Sequence, residues 1–270
     1  MATKVKKPIV LVTGSQGFLG QNLLPILEKK YRIYEWDKKT NGEDIFDLDF
    51  QEMVRVSDVV IHLAALVSVP KSFKSPEDTF YTNVLGTARV VELCTRYKKK
   101  LVFVSSAAAY HPESSPYAYS KWLGEELVRG VKRKIPTVIL RLFNVYGEGA
   151  NKDSIMQRFL TDKRITVNGD GEQTRDFINV KDVSLIIADA VKNKWNGKVA
   201  DIGIGESHDI YFLADTFRHF RGHKKIYYGK PVKEIKESKA DVTVLNSLYK
   251  EILKTDLVAD IERMVKNAKT

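Results

Sequence analysis

The sequence predicts an α/β chain: a Rossmann-type, doubly wound parallel sheet with a small discontinuous C-terminal lobe. Short apolar runs of strand length alternate with amphipathic helical stretches through the first half of the chain. The first run leads directly into Gly14-x-x-Gly17-x-x-Gly20, the spacing of a strand-to-helix turn that lays a helix N-terminus against an anion. Gly14, Asp37, Ala64 and Ser106 all fall at the carboxyl ends of such runs, where open parallel sheets place their ligands.

Taken in order, Ile9 to Thr13 reads as the first strand. The basic start Lys4-Val5-Lys6-Lys7 ahead of it has the outline of a signal peptide, but the apolar part runs straight into the glycine turn and is assigned to the sheet. Phe18 to Lys29 follows as an amphipathic helix, Tyr31 to Trp36 as the second strand and Val59 to Leu63 as the third. Asp78 to Tyr97 is expected as one helix, Leu101 to Ser105 as a strand, Tyr117 to Val131 as a helix and Thr137 to Leu142 as a strand. After Asn144 the pattern changes: Gly147, Gly149, Gly169 and Gly171 punctuate short elements, and strand-helix alternation returns only between Phe177 and Ile204. The expected division is therefore 1–147 plus 174–205 for the dinucleotide-binding domain and 148–173 plus 206–270 for a small substrate-binding lobe.

The composition narrows the function classes. With 270 residues and 43% apolar content the chain can bury a full core. Its single cysteine, Cys94, excludes an intrachain disulfide and a cysteine-based zinc site, so a reducing cytoplasmic home is expected. No apolar stretch reaches membrane-spanning length. The net charge of +10 could suit nucleic acid, but the basic residues are scattered, with short runs only at Lys98 to Lys100 and Lys132 to Lys134, expected at helix ends. That scatter argues against a nucleic-acid partner and suits doubly anionic small molecules. His219 and His223 have metal-ligand spacing, yet Gly222 between them suggests a helix ending and no carboxylate accompanies them, so no metal is expected.

The chemistry-bearing residues fit this frame. Asp37 lies seventeen positions past Gly20, where a carboxylate can accept both hydroxyls of an adenine ribose and repel a 2′-phosphate. That favours NAD over NADP, although Lys38 and Lys39 follow directly. Tyr117 and Lys121 stand one helical turn apart on a shared face. For the phenol to act as a base near neutrality it must shift by about three pKa units, or about 4 kcal/mol. A cation at about 4 Å in an effective dielectric near 20 is worth a comparable amount, and Lys121, helped by an oxidised nicotinamide, is the expected source. Ser106 ends the fourth strand, where its hydroxyl can share a proton with a substrate oxygen and the phenol. Tyr110 and Tyr146 read as structural or cavity-lining, and Glu125 and Glu126 as surface or salt-bridge positions.

Together the residues resemble a family: extended short-chain dehydrogenase/reductases of the NAD-dependent sugar-nucleotide epimerase/dehydratase type, in particular the UDP-glucose 4-epimerases. The resemblance runs over nearly the whole chain. It rests on Thr13-Gly-Ser-Gln-Gly17-Phe-Leu-Gly20, Asp44-Ile-Phe-Asp47, His62-Leu-Ala-Ala65, Val67-Ser-Val-Pro70, Asn83-Val-Leu-Gly-Thr87, Val104-Ser-Ser106, Pro116-Tyr-Ala-Tyr-Ser-Lys121, Leu140-Arg-Leu-Phe-Asn-Val-Tyr-Gly147, Gly169-Asp-Gly-Glu-Gln-Thr-Arg-Asp-Phe177 and Ile202-Gly-Ile-Gly-Glu-Ser207. It implies NAD as cofactor, with Phe18 and Leu19 covering the pyrophosphate and Asp44 and Ile45 holding the adenine. Leu63, Ala64, Ala65 and Asn83 would line the cofactor, with Phe143 near the nicotinamide. Ser106, Tyr117 and Lys121 would be the catalytic set, and Asn144 and Arg175 would grip the diphosphate of a nucleotide sugar. An arginine fork and an amide suit phosphate oxygens on physical grounds as well.

Family members share removal of the sugar's 4-hydroxyl proton and C4 hydride, and differ in the steps after it. Dehydratases place an acidic pair immediately after the position of Ser106; here Ala107 and Ala108 stand instead. Cys94 falls at an apolar helix position and is a poor acid or base for inverting neighbouring carbons. The resemblance therefore points to 4-epimerisation of UDP-glucose/UDP-galactose or the N-acetyl pair. The alternatives are a 4-keto-sugar reductase and a non-catalytic NAD-binding interaction protein. A homodimer paired through the helices of Asp78 to Tyr97 and Tyr117 to Val131 is also implied. Two departures are visible: a short segment between Tyr110 and Tyr117, and no arginine near Lys230-Pro231, where the family places one against the nucleotide.

Overall fold

The computed structural model describes residues 7–232 and 234–268; Lys4 to Lys6 of the basic start lie outside the described residues. The chain divides into two compact units, one running to Arg141 and resuming over Ser184–Ala200, the other comprising Leu142–Val183 and the chain from Asp201 onward.

The first unit is built on a six-stranded sheet. Its strands are β1 (Ile9–Thr13), β2 (Arg32–Trp36), β3 (Val59–His62), β4 (Lys100–Ser106), β5 (Thr137–Leu142) and β6 (Lys198–Ile202), in the order β6-β5-β4-β3-β1-β2. The pairs β1–β2, β1–β3 and β3–β4 run parallel, with Val10 facing Ile33 on one side and Val59 on the other. Because the chain leaves β1 for β2 on one side and builds β3 on the other, the carboxyl ends of β1 and β3 flank the point where strand order reverses. Every residue of β1 is buried, as the apolar run required. The helices α1 (Phe18–Leu27), α2 (Gly86–Tyr97), α3 (Pro116–Gly130) and α4 (Val180–Ala190) complete the main alternation. Leu11, Phe50, Val60, Val90, Leu101, Phe103 and Val128 belong to one continuous buried core of this unit.

Two local features differ from the sequence expectation. The helix expected over Asp78 to Tyr97 is interrupted by a π-helical turn, Tyr81–Leu85, between a short helix at Pro76–Phe80 and α2. The wider turn holds the buried Asn83, whose amide donates to Leu66 O at 3.0 Å and to Ser120 Oγ at 2.9 Å, and whose Oδ1 accepts from Leu66 N at 2.8 Å. Lys100, expected at a solvated helix end, is instead a buried first residue of β4, its Nζ donating to the carbonyls of Val191 at 2.9 Å and Lys192 at 2.7 Å. A cation on the carbonyls just past α4 suits the negative end of the helix, and Lys192 O also accepts from Trp195 N at 3.3 Å.

A buried polar relay runs beside β1 and β3. Thr87 Oγ1 gives its proton to Asn83 O at 2.6 Å, so it accepts from His62 Nε2–H at 3.1 Å. His62 Nδ1 is then the acceptor for the Thr13 hydroxyl at 2.7 Å, and Thr13 Oγ1 in turn accepts from Ala64 N at 3.3 Å. One neutral tautomer satisfies every member.

The second unit packs its own core from Tyr146, Phe159, Val167, Phe177, Leu213, Phe217 and Ile261. Its strand Asn144–Tyr146 pairs in parallel with Phe177–Asn179. Its helices include α5 (Ile210–Arg221), which ends at Gly222 with φ +72° as that glycine suggested, and α6 (Leu257–Ala268). Tyr146, expected as structural or cavity-lining, is buried: its hydroxyl donates to Asp260 Oδ2 of α6 at 2.6 Å, and Asn179 Nδ2 donates to the same oxygen at 2.8 Å. No helix among the described residues is long and apolar enough to cross a membrane.

The relay predicts an acid-sensitive fold. Burial, with a smaller push from Lys121, lowers His62 to about 3 from an ordinary value of 6.5. Between those values the unfolded chain binds a proton that the folded chain refuses, so stability present above about pH 6.5 is lost as pH falls toward 3, by at most ~1.4 kcal/mol per pH unit. Urea midpoints measured at pH 7 and pH 5 will separate further in the wild type than in His62→Gln. Equal separation in the two proteins would reject this role for His62.

Candidate active site and dinucleotide cradle

The glycine turn is held to β2 by Gly14 N donating to Trp36 O at 2.9 Å. Gly14 has φ +70°, and a Cβ there would lie 2.7 Å from Ala64 N; a Cβ on Gly20 would lie 2.2 Å from Ser15 O. Both positions exclude a side chain, which lets the turn close against Ala64 and α1 against Ser15. Gly17 caps α1 without any side-chain bond, leaving the N–H groups of the first turn with no side-chain acceptor. Ser15 Oγ is buried with no hydrogen-bond partner. An open helix N-terminus, glycines where side chains cannot fit and an orphaned hydroxyl together fit a bound pyrophosphate.

Asp37 stands half-buried at the end of β2, its Oδ2 accepting from Gln16 N at 3.0 Å and its Oδ1 from Lys39 N at 2.8 Å. These bonds aim the carboxylate from the strand end across the glycine turn. Phe18 and Leu19 begin α1 half-buried. Asp44 is paired with Lys38 at 2.6 Å and Ile45 is buried in the unit's core. Leu63, Ala64 and Ala65 follow β3, with Asn83 tied to Leu66 just beyond them.

The catalytic candidates meet where α3 lies along the end of β4. Ser115 caps the helix, accepting from Ala118 N at 3.1 Å, and Pro116 occupies its first turn. Ser106 accepts from Ala108 N at 3.2 Å and lies near enough to the Tyr117 hydroxyl to favour its ionised form. Tyr117 is only 8% exposed. Lys121, 5% exposed, donates from Nζ to Val104 O at 2.8 Å and sits 5.1 Å over the Phe103 ring.

The electrostatics correct one expectation. Burial pushes the Tyr117 phenol above its ordinary value, and the nearby Ser106 hydroxyl only partly offsets this. The ammonium expected to pull the phenol down is committed to a strand carbonyl. Burial also lowers Lys121 to about 8, against a raising influence from Glu125. In the protein by itself Tyr117 is a neutral acid at pH 7.

Of the two readings offered for Glu125, surface or salt bridge, the second holds: it is 1% exposed and paired with Arg141 and Arg129. It accepts from Ser105 Oγ at 2.7 Å, from Arg141 Nε at 2.8 Å and a second Arg141 nitrogen at 2.7 Å, and from Arg129 at 3.1 Å. Sequence reasoning missed this cluster, although Tyr117, Lys121 and Glu125 recur every fourth residue on one helix face. Cys94 is buried and its thiol is pushed up to about 12, so it stays unreactive.

In the second unit, Phe143 is buried with its N donating to Ile202 O at 3.0 Å, and Asn144 N donates to Asp176 O at 3.0 Å. This brings Asn144 beside the Arg175-Asp176 segment. Arg175 donates to Thr174 O at 2.8 Å and to Glu234 at 2.6 Å, with burial lowering its pKa. Glu234, which belongs to no recognisable motif, holds the guanidinium with an anion.

The family model described as "NAD dependent epimerase/dehydratase family" matches residues 10–205. A Methanocaldococcus jannaschii protein named provisionally as a UDP-glucose 4-epimerase is 32% identical, over 83% of this chain and 86% of its own length. A UDP-N-acetyl-alpha-D-glucosaminuronate decarboxylase of Bacillus cytotoxicus is 29% identical over 88% of this chain and 90% of its own. Among solved structures, the UDP-glucuronic acid 4-epimerase of Bacillus cereus, in complex with UDP-glucuronic acid and NAD, superposes with a TM-score of 0.87 at 28% identity, covering 97% of this chain and 99% of that one.

The cradle predicts a cofactor preference set by Asp37. Replacing it in Asp37→Ser will weaken NAD binding by about tenfold, or ~1.4 kcal/mol, and weaken NADP binding less, as read by calorimetric titration of both. An unchanged NAD/NADP ratio would remove Asp37 from ribose recognition.

Proposed function

The chain belongs to the NAD-dependent epimerase/dehydratase family, and from that premise we propose that it is a nucleotide-sugar 4-epimerase acting on UDP-glucose and UDP-galactose or their N-acetyl equivalents. The observation that carries this reading is the approach of Ser106 to Tyr117, followed by a turn, Ala107–Tyr110, that offers alanines where a dehydratase needs an acid and a base.

In this reading Ser106 orients the sugar's 4-hydroxyl and Tyr117 takes its proton; after the keto sugar has turned its other face to the nicotinamide side, Tyr117 returns the proton to the 4-oxygen. Lys121, anchored on Val104 O, holds a positive charge on the same helix face and steadies the ionised phenol. NAD, when bound, accepts and returns the C4 hydride and brings a positive ring that favours the phenolate. Phe18 and Leu19 cover its pyrophosphate, Asp44 and Ile45 its adenine, and Leu63, Ala64, Ala65, Asn83 and Phe143 its remaining length. Asn144 and Arg175 hold the diphosphate of the nucleotide sugar, with Arg175 exchanging the Glu234 carboxylate for phosphate oxygens of the same charge sign and geometry. The small substrate lobe of 148–173 and 206–270 is part of the same proposal. The proposal also includes a cytoplasmic location, supported by one buried thiol, and a homodimer, supported by exposed Tyr81, Leu85 and Tyr119 on the two helical segments named for pairing.

Incubated with UDP-galactose, the purified protein will generate UDP-glucose anomeric NMR signals without net NADH consumption. Turnover only with stoichiometric NADH would mean a reductase, and decarboxylated product from a UDP-uronic acid would mean a decarboxylase. Tyr117→Phe will lose about 10²–10⁴-fold in kcat, the scale of general acid–base catalysis, whereas Arg175→Leu will raise KM about tenfold or more with a smaller effect on kcat. Full turnover in Tyr117→Phe would end the assignment. In sedimentation equilibrium the protein will run at twice its chain mass; a single chain mass at assay concentration would remove the homodimer.

A further inference from the structure

The end of β4 and the buried face of α3 are joined by three polar rungs. Ser106 meets Tyr117, the Val104 carbonyl meets Lys121, and Ser105 meets Glu125. Gly124 lets the two elements close, since a Cβ there would lie 2.7 Å from the Phe103 ring. The first two rungs carry the proposed chemistry. The third has no assigned role, yet it is the most elaborate.

Glu125 is a buried carboxylate that accepts four hydrogen bonds from three residues. Arg141, from the adjacent strand β5, binds it through two nitrogens and also stacks over the Tyr110 ring at 4.3 Å. Tyr110 closes the 3₁₀ turn that starts from Ser106, and the stack ties its 49%-exposed ring to Arg141. The pair therefore grips both sides of the catalytic turn: Ser105 immediately before it and Tyr110 at its end. A buried ion pair of this kind is weakly justified by stability alone, because an apolar pair of similar volume is often as good.

We propose that Glu125, braced by Arg141, is a positioning residue that fixes the Ser105–Ser106 strand end and keeps the Lys121 ammonium charged beside Tyr117. The inference rests on the catalytic reading of Ser106, Tyr117 and Lys121. Titratable groups facing Lys121 are Tyr117 and Glu125 on its own helix and His62 from β3, which burial keeps neutral. Glu125 is thus the one of these three that supplies negative charge at pH 7. Its charge raises a lysine that burial has already lowered to about 8.

The test pairs a substrate-free readout with kinetics. In the NAD-loaded protein labelled with ¹³C at lysine Cε, the Lys121 resonance, assigned by its loss in Lys121→Met, will titrate roughly one unit or more lower in Glu125→Gln than in wild type, and less far in Glu125→Asp. In the epimerase assay Glu125→Gln will lower kcat at least tenfold, leave KM and NAD affinity in place, and move the alkaline limb of the kcat profile to lower pH. An unchanged Lys121 midpoint, or a fall in melting temperature with kcat and its pH profile intact, would overturn the proposal. The lysine titration needs no sugar, so it decides the matter even where the 4-epimerase reading fails. If Glu125→Gln does not fold, Ser105→Ala removes a single neutral bond and will lower kcat severalfold at constant KM; wild-type kcat there would overturn it.

Discussion

The contact on which the rest of the site depends is the close approach of α3 to β4 at Gly124 and Phe103. Without it, no side chain of the helix face reaches the strand end. With it, a phenol, an ammonium and a carboxylate spaced four residues apart are set against successive positions of one strand: Ser106, Val104 and Ser105. Helical periodicity supplies the line of groups, and strand geometry supplies the partners. A larger residue at 124 would have to displace a buried aromatic ring, and overpacking of this kind typically costs about 1–3 kcal/mol. It would also tilt all three rungs at once.

A second network ties this helix to the dinucleotide crevice. From Thr13 at the end of β1, hydrogen bonds pass through His62 and Thr87 to the Asn83 carbonyl; the Asn83 amide then reaches Ser120, whose hydroxyl donates to the Tyr117 carbonyl at 2.8 Å. The π-helical turn makes this possible by bringing Asn83 inward where a regular helix would have carried its register past Leu66 and Ser120. The glycine turn's strand and the helix α3 are therefore held by one set of buried polar bonds, each member satisfied. Such networks are costly when broken, because a lost partner leaves a desolvated group unpaired.

Much of this was legible in the sequence, for reasons that are local. Strands such as Ile9–Thr13 and Thr137–Leu142 announce themselves because both sheet faces are covered and the runs are nearly all apolar. The glycine turn is legible because only glycine tolerates the backbone at Gly14. The features that stayed hidden depend on partners distant in sequence. Lys100 looked like part of a solvated basic run until carbonyls more than ninety positions on claimed it. Arg175 meets Glu234 from 59 residues away. Glu125 sat in plain view on the Tyr117–Lys121 face, but its burial depends on Arg141 of another strand, which no helical pattern can report.

The upward shift of Tyr117 has its origin in the same burial that makes the site usable. Removing a phenol from water penalises its ionised form, and one nearby hydroxyl offsets only part of that penalty. Lys121 is close enough in sequence to help, yet its hydrogen bond to Val104 O holds it as a strand-anchored charge, itself weakened by desolvation. Reaching half ionisation at pH 7 still requires about 4 kcal/mol against the ordinary phenol value, and more against the buried one. In the proposed reaction that gap closes only when a second positive charge arrives beside the phenol. A base that forms only in the assembled site is protected from idle ionisation in the free protein, and a buried carboxylate that keeps the lysine charged is the part of the chain able to narrow the gap in advance.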